Sequence, residues 1–135
     1  MKLIPLITLL LLFCGQVSAQ AQYSLQPRTQ GIQVPRSLLG TWGTAEQCHA
    51  HNAGEIDNPG LNPYLISSEW IRQGNVYCYL SWHEKRYDSD GLQAHALAQC
   101  GEDNLREYRL TLRLQQERLR IRWSDDFTTR ALEAC

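Results

Sequence analysis

The histidines are the residues whose type and spacing come nearest to metal chemistry. His49 and His51 form an H-x-H pair, and His83 and His95 are predicted to face one another across a β-hairpin, away from the core. Two imidazoles can share a transition metal, but they leave a tetrahedral site short of ligands. An exposed cross-strand histidine pair is also an ordinary polar surface. His83 and His95 are therefore a metal hypothesis, and the sequence predicts no cofactor.

Catalytic motifs give no support for an enzyme. His83-Glu84 begins like the zinc-protease motif H-E-x-x-H, but the fifth position is Tyr87. The segment also has the pattern of a strand, in which positions i and i+4 are too far apart to chelate one metal. The sequence contains no G-x-S-x-G, P-loop or G-x-G-x-x-G motif,. Because no activated nucleophile or acid–base pair can be placed, we expect a protein that is not an enzyme.

The chain has five cysteines; apart from Cys14 near the N-terminus, the four at positions 48, 78, 100 and 135 allow three disulfide pairings,. The segment Asp88-Ser89-Asp90-Gly91 is a hairpin-turn sequence, so residues opposite one another should have numbers that sum to about 178. Cys78 and Cys100 have that sum, and facing positions lie within disulfide range. We predict the bridges Cys78–Cys100 and, with the remaining two cysteines, Cys48–Cys135.

The first nineteen residues have the pattern of an export signal. Lys2 provides a positive charge, an apolar stretch runs over residues 3–13, and Val17-Ser18-Ala19 is a small-residue cleavage site,. The apolar stretch is too short for a hydrocarbon core of about 30 Å, so we expect no membrane span. Cys14 would suit a lipoprotein if a small residue preceded it, but Phe13 does. We predict a soluble periplasmic or secreted protein whose four remaining cysteines are bridged.

The chain after the signal has room for one domain with one core. Residues 20–37 are rich in Gln and lack a steady apolar period, which predicts a flexible arm,. Residues 38–135 are predicted to form the disulfide-bonded β domain. The formal net charge of the chain is −1, which argues against a general nucleic-acid binder,.

Turn signals at short intervals separate runs of β-forming residues, which is typical of an all-β fold. The predicted antiparallel register places Val76, Leu80 and Trp82 on the core side, opposite Ala96 and Ala98,. A turn near Gly74 would bring Ile66, Ser68 and Trp70 to the same side, although a shift of one residue would reverse that strand. Seven candidate strands result, over residues 39–44, 65–72, 76–87, 92–100, 107–114, 119–124 and 128–134.

Two outward surfaces are candidates for partner binding. Tyr77, Tyr79 and Leu97, with Ile71 as a further candidate, are predicted to form an exposed apolar patch unless the loop of residues 49–63 covers them,.

The second surface is basic. Arg113 is predicted to lie opposite Arg120, with Arg122 on the same face. Like charges facing each other are unfavourable, so an anionic partner would explain them. The alternative is a solvated hairpin whose cations prevent edge-to-edge aggregation.

Gly40-Thr41-Trp42 resembles the G-x-W signature of lipocalin-like (calycin) barrels. This resemblance implies a small antiparallel β-barrel or curved sandwich of about seven to eight strands. It also implies that Trp42 closes the barrel floor beneath an arginine, for which Arg130 is the candidate. In size, and in the cysteine that follows Trp42 at position 48, the chain is similar to bacterial secreted metalloprotease inhibitors, which insert an N-terminal trunk into the protease cleft. The other two cysteines depart from that pattern.

We therefore expect an exported binding protein that acts through surface contacts, as an inhibitor or accessory of another exported protein. One alternative is a carrier that holds a small ligand in the barrel mouth, which needs a cavity of roughly 300 Å³ or more. Another is a structural envelope protein without a ligand.

Overall fold

The computed structural model describes residues 32–55 and 58–135, in which eight antiparallel strands form a nearly closed barrel. This confirms the predicted all-β fold. The predicted signal segment 1–19 and residues 20–31 of the predicted arm lie outside the described residues. The strands are β1 Gly40–Gly43, β2 Tyr64–Ile66, β3 Trp70–Gln73, β4 Val76–Asp88, β5 Gly91–Cys100, β6 Arg106–Gln115, β7 Arg118–Trp123 and β8 Glu133–Ala134; one α-helix, α1 Ala45–Asn52, and two 3₁₀ turns, Arg36–Leu38 and Pro59–Leu61, complete the described elements.

Each strand pairs with its spatial neighbours in the order β7-β6-β5-β4-β3-β2-β1-β8. The chain after β7 folds back along that strand, with Leu132 bridged to Leu119 and Thr128 bridged to Arg122, so the two ends of the sheet approach each other. Closure of this kind removes most of the exposed strand edge. The architecture is consistent with the calycin-like barrel that the G-x-W resemblance implies.

The β4–β5 hairpin sets the position of one disulfide. Its tight turn is closed by the pair Asp88–Gly91, and a β-bulge between Trp82 and Glu84 shifts the register by one residue,. Beyond the bulge, Cys78 lies opposite Cys100, with a Cα–Cα distance of 4.1 Å across their disulfide. The second bridge joins Cys48 to Cys135, with a Cα–Cα distance of 5.0 Å. Both predicted disulfides are confirmed.

The core fills the barrel with large side chains set against small ones. Leu80 and Trp82 on β4 face the small side chains of Ala96 and Ala98 on β5, and all four are buried. Val76 was predicted to join them but is 60% exposed, because it lies at the open end of the barrel, beyond the last covered layer. The other deeply buried apolar residues are Leu38, Trp42, Tyr64, Ile66, Ile71, Leu92, Ala94, Leu110, Leu112, Leu119, Ile121 and Leu132.

The predicted strand over residues 65–72 is wrong, because a tight turn divides it into β2 and β3. The Ser67 hydroxyl accepts hydrogen bonds from the backbone N–H groups of Glu69 and Trp70, which stabilises this turn,. In β3, Ile71 pairs with Cys78 and is buried, whereas Trp70 pairs with Tyr79 and points outward. The sequence predicts Trp70 inside and Ile71 outside. The register of β3 is shifted by one residue from that prediction, so its inward and outward faces are exchanged.

Helix α1 occupies the start of the predicted loop 49–63. Thr44 begins it with a capping box, in which Thr44 Oγ1 accepts from the Gln47 backbone N–H and Gln47 Oε1 accepts from the Thr44 backbone N–H,. Cys48 lies on this helix, so its bridge to Cys135 ties α1 to the end of β8. The described helices are too short to traverse a bilayer.

Residues 32–38 cover part of the core instead of forming a free arm. Leu38 is fully buried, and Ile32 and Val34 pack against the core. The Lys85 ammonium donates a hydrogen bond to the Gln33 carbonyl at 2.9 Å, and Trp42 Nε1 donates to the Leu38 carbonyl at 3.0 Å. Residues 32–37 of the predicted arm therefore lie against the β domain, and the flexibility of the arm stays a prediction.

Candidate functional site

Three aromatic side chains form a contiguous patch on the outward side of β3 and β4. Trp70 stacks on Tyr77 with ring centroids 5.8 Å apart, and Tyr77 meets Tyr79 edge to face at 5.1 Å. Tyr77 is 39% exposed and Tyr79 is 59% exposed, while Trp70 is half-buried. We call Trp70, Tyr77 and Tyr79 the aromatic patch. Aromatic pairs of this geometry hold one another in place, so the patch presents a fixed apolar surface to solvent.

The strand register explains why these three residues meet. Tyr77 and Tyr79 flank the buried Cys78, so alternation turns both of them outward,. Trp70 lies directly opposite Tyr79, and Arg72 lies opposite Tyr77. The Cys78–Cys100 disulfide fastens the same stretch of β4 to β5. The disulfide therefore fixes the part of β4 that carries Tyr77 and Tyr79.

Tyr77 is the member of the patch whose acidity is changed by its surroundings. The pKa of Tyr77 is raised above its ordinary value, first by desolvation and then by the neighbouring Tyr79 and Glu69. A tyrosine phenol is protonated at neutral pH even at its ordinary pKa of about 10, so Tyr77 can donate a hydrogen bond. A neutral aromatic surface with hydroxyl groups suits contact with another protein.

Of the residues predicted for the exposed apolar patch, the structure brings only some together. Tyr77 and Tyr79 are adjacent and exposed, as predicted, and the described residues of the 49–63 segment leave them uncovered. Leu97 points outward on β5 but is half-buried, opposite Ser81. Trp70 is a member that the sequence reasoning placed on the wrong side. The Ser67-Ser68-Glu69 turn signal would have corrected that register, because it ends β2 before Trp70.

A pocket of about 250 Å³ opens at the end of the barrel, next to the Cys78–Cys100 bridge. One wall contains the edge-to-face pair Tyr108 and Trp123, and the rim includes the exposed Val76 and Phe127. Burial raises the pKa of Tyr64, which also lines the pocket. Trp123 Nε1 is buried and has no hydrogen-bond partner among the described residues. A buried donor without a partner is costly, but this nitrogen has almost no accessible surface and does not face the pocket space,.

The predicted basic surface lies on the β6–β7 hairpin. Arg113 pairs directly with Arg120, as predicted, and Arg122 pairs with Thr111. Arg113 Nη2 lies 3.6 Å from Asp90 Oδ2, and Arg122 Nη2 lies 3.7 Å from an Asp126 carboxylate oxygen. We call the outward arginines Arg113, Arg118, Arg120 and Arg122 the arginine face. This face can bind oxyanions.

The predicted facing of His83 and His95 is wrong. The bulge after Trp82 places Glu84 opposite His95, and His83 lies at the irregularity itself. His95 Nδ1 lies 3.2 Å from the Thr111 hydroxyl, and its Nε2 lies 2.9 Å from the Gln93 amide nitrogen. In the described part of the chain, no three His, Cys, Asp or Glu residues come together as a metal site would require. The metal hypothesis loses its geometric basis.

Trp42 and Arg130, the pair implied by the family resemblance, have different surroundings. Trp42 is buried at the base of β1 and bonds to Leu38, whereas Arg130 is exposed. Comparison with protein-family models, curated proteins and solved structures finds no match to this chain. The resemblance is therefore limited to the barrel architecture. The function has to be argued from the exposed surfaces of the protein and from its pocket.

Proposed function

We propose that the chain is an exported binding protein that acts through surface contacts, with the aromatic patch as its contact surface. The observation that supports this most directly is the exposure of Tyr77 and Tyr79 beside Trp70, in a mutually packed cluster on a disulfide-anchored sheet. Tryptophan, tyrosine and arginine are the residues that most often dominate binding energy at protein interfaces.

The aromatic patch is also rigid, which favours binding. The patch residues lie on paired strands and not on loops, so little conformational entropy would be lost on binding,. Arg72, exposed next to Tyr77, is held by a hydrogen bond of 2.8 Å from its Nε to the Gly74 carbonyl. A partner would therefore meet a preformed surface with an apolar centre and a cation at its edge.

The partner that we propose is another exported protein, which the chain would inhibit or assist. The export pattern of residues 1–19 and the two disulfides both suit an oxidising compartment,. The N-terminal arm remains a candidate second contact, by analogy with the protease-inhibitor trunk. Because Ile32 and Val34 pack on the core, the deletion that tests the arm is confined to residues 20–31.

The test is capture of a partner from the exported proteins of the source organism. The mature chain should retain one dominant protein, and the double variant Tyr77→Ala/Tyr79→Ala should lose it. Tyr87→Ala is the matched control, because Tyr87 is 66% exposed but lies near the tip of the β4–β5 hairpin. Capture that the control abolishes equally, or no capture at micromolar concentration, would contradict the proposal.

A second candidate function, small-ligand binding at the barrel mouth, is favoured by one observation: the pocket beside the Cys78–Cys100 bridge, with Tyr64, Tyr108 and Trp123 in its lining. The pocket of about 250 Å³ is slightly smaller than the usual lower limit of roughly 300 Å³, so the ligand would be small,. Native mass spectrometry of the freshly purified protein should then show a bound small molecule. Trp123→Ala removes a large side chain from the pocket wall and should release it, whereas a clean ligand-free mass for the unaltered chain would count against the carrier.

A further inference from the structure

Charge is unevenly distributed over this chain. The β6–β7 hairpin, residues 106–123, contains six arginines and two glutamates, a formal charge of +4, although the whole chain carries −1. All the cations of the hairpin are arginines, which bind carboxylates and phosphates through two parallel hydrogen bonds, whereas lysine acts as a point charge. The hairpin is therefore a local basic region on a molecule that is otherwise acidic.

The alternation of β7 arranges these cations in a regular row. Leu119 and Ile121 are fully buried. The residues that alternate with them, Arg118, Arg120 and Arg122, therefore all point outward. Side chains at alternate positions of a strand lie about 6.7 Å apart. Arg113 on β6 stands beside the middle of this row, directly opposite Arg120.

Part of the row has no ion-pair partner among the residues that the structure describes. The ion pairs of Arg113 with Asp90 and of Arg122 with Asp126 are exposed, and such pairs contribute little,. Within residues 32–55 and 58–135, these are the two ion pairs that meet a 4.0 Å limit, so Arg118 and Arg120 have no carboxylate at that distance. Like charges face each other at Arg113 and Arg120, which is unfavourable in a ladder unless an anion lies between them,.

We propose that the arginine face is a docking surface for a short, extended acidic segment of a partner protein, with carboxylates at alternate positions. An extended peptide repeats its side chains every 6.7 Å or so, which is the spacing of Arg118, Arg120 and Arg122. Acidic residues bracket the row, with Glu117 before β7 and Asp125 and Asp126 after it. They would repel a long polyanion that extended past the face, so a segment with two or three carboxylates fits best.

This surface is separate from the aromatic patch, which lies on β3 and β4 with β5 between it and the hairpin. The inference therefore stands or falls independently of the proposed function. A loss of partner capture in the Tyr77 and Tyr79 variants tests the patch, while binding of an acidic peptide tests the arginine face.

The experiment measures binding of fluorescently labelled peptides to the mature chain by fluorescence anisotropy. One peptide alternates glutamate with threonine and contains three glutamates; the second has the same composition with its glutamates contiguous. The alternating peptide should bind more tightly, and its affinity should fall as salt screens the exposed charges. Arg120→Glu should raise its Kd about tenfold or more. Arg36→Glu makes the same charge change on the exposed 3₁₀ turn and should leave the Kd unchanged.

Loss of folding is distinguishable from loss of binding. Arg120→Glu places a glutamate opposite Arg113, so its thermal midpoint should not fall,. Arg118→Gln is a second, milder variant, which should weaken binding in the same direction. A sulfated oligosaccharide and vesicles containing phosphatidylglycerol are the competing probes. Equal affinity for both peptides, tighter binding of either competing probe that depends on Arg120, or no peptide binding at all would overturn the proposal.

Discussion

The strands β4–β7 and the strands β1–β3 with β8 form two halves of the barrel that are stabilised in different ways. In the long-strand half, β4–β7, the strands contain 13, 10, 10 and 6 residues; tight turns join β4 to β5 and β6 to β7, and a loop of residues 101–105 joins β5 to β6. In the short-strand half, β1–β3 and β8, they contain 4, 3, 4 and 2 residues. The first half can hold its register through backbone pairing. The second half has little pairing to rely on.

Side chains and a covalent bond compensate in the short-strand half. Trp82 Nε1 donates to the Ser68 carbonyl in the β2–β3 turn at 2.8 Å, and Trp42 Nε1 donates to the Leu38 carbonyl. The Cys48–Cys135 bridge fastens α1 to the end of β8. Short strands therefore remain in a barrel when buried indole donors and a cross-link hold their ends.

The largest expected effect follows from removing that cross-link. The variant Cys48→Ala/Cys135→Ala opens a loop of 87 residues, and the chain-entropy description gives a loss of about 4–5 kcal/mol in the free energy of unfolding,. Urea unfolding followed by circular dichroism measures it. If stability were unchanged, the comparison between the two halves would be wrong.

Removing the other bridge should cost less. Cys78→Ala/Cys100→Ala opens a loop of 22 residues, for which we expect a loss of about 3 kcal/mol,. The two strands that it joins are already paired along most of their length. Parallel urea titrations of the two double variants give the comparison directly, and a larger loss here than for Cys48 and Cys135 would reverse it.

The long-strand half should be sensitive at its tight turn. Gly91 has φ +140°, and a Cβ there would overlap the Leu114 carbonyl oxygen on β6. We expect Gly91→Ala to cost about 1–3 kcal/mol from backbone strain alone. Gly40→Ala is the control, since Gly40 has φ +130° but no heavy atom within 4 Å of the added methyl group. Thermal unfolding should separate the two, and equal losses would show that the contact with β6 is unimportant.

Helix α1 provides a smaller test of the short-strand half. Thr44→Ala removes the capping hydroxyl and should lower the free energy of unfolding by about 1 kcal/mol,. Gln47→Ala removes the reciprocal bond to the Thr44 backbone. A double-mutant cycle should give a coupling energy between them, since both belong to one capping box. Strict additivity would indicate that the two bonds act independently.

The smallest expected effect is a gain in the free energy of unfolding, whereas the other variants should lose stability. Arg120→Glu converts a facing pair of like charges with Arg113 into a pair of opposite charges, which should stabilise the fold by about 0.2–1 kcal/mol,. Thermal unfolding at low ionic strength measures it, because salt screens the gain. A loss of stability would mean that the guanidinium groups already interact favourably in the free protein.

The sequence predicts the long-strand half well because its signals are local. The alternation of β6 and β7, the Asp88–Gly91 turn and the Cys78–Cys100 pairing are all confirmed. The rule that facing residues have numbers summing to about 178 nevertheless identified the disulfide only because two one-residue register shifts cancel. Next to the turn the register differs by one residue from the predicted one, and the bulge at His83 restores it before Cys78 is reached. His95 lies on the turn side of the bulge, so the same rule failed for the histidines.

The short-strand half was less predictable, and the aromatic patch was only partly predicted for the same reason. A strand of three or four residues shows too little alternation to define a face, so β2 and β3 were read as one strand and Trp70 was placed inside,. Helix α1 lacks an apolar stripe, and only the Thr44-x-x-Gln47 capping pattern marks it,. The pocket depends on contacts between β2, β3 and the loop after β7, which no local pattern contains.

The four tryptophans lie in regions of the molecule that can be followed separately by fluorescence. Trp42 and Trp82 are buried in the core, Trp123 lines the mouth, and Trp70 belongs to the aromatic patch. With Trp42 and Trp82 retained, replacing either Trp123 or Trp70 by phenylalanine leaves one indole at a proposed binding surface. The emission of such a variant would report whether an added molecule occupies the mouth or the sheet face, without any attached dye.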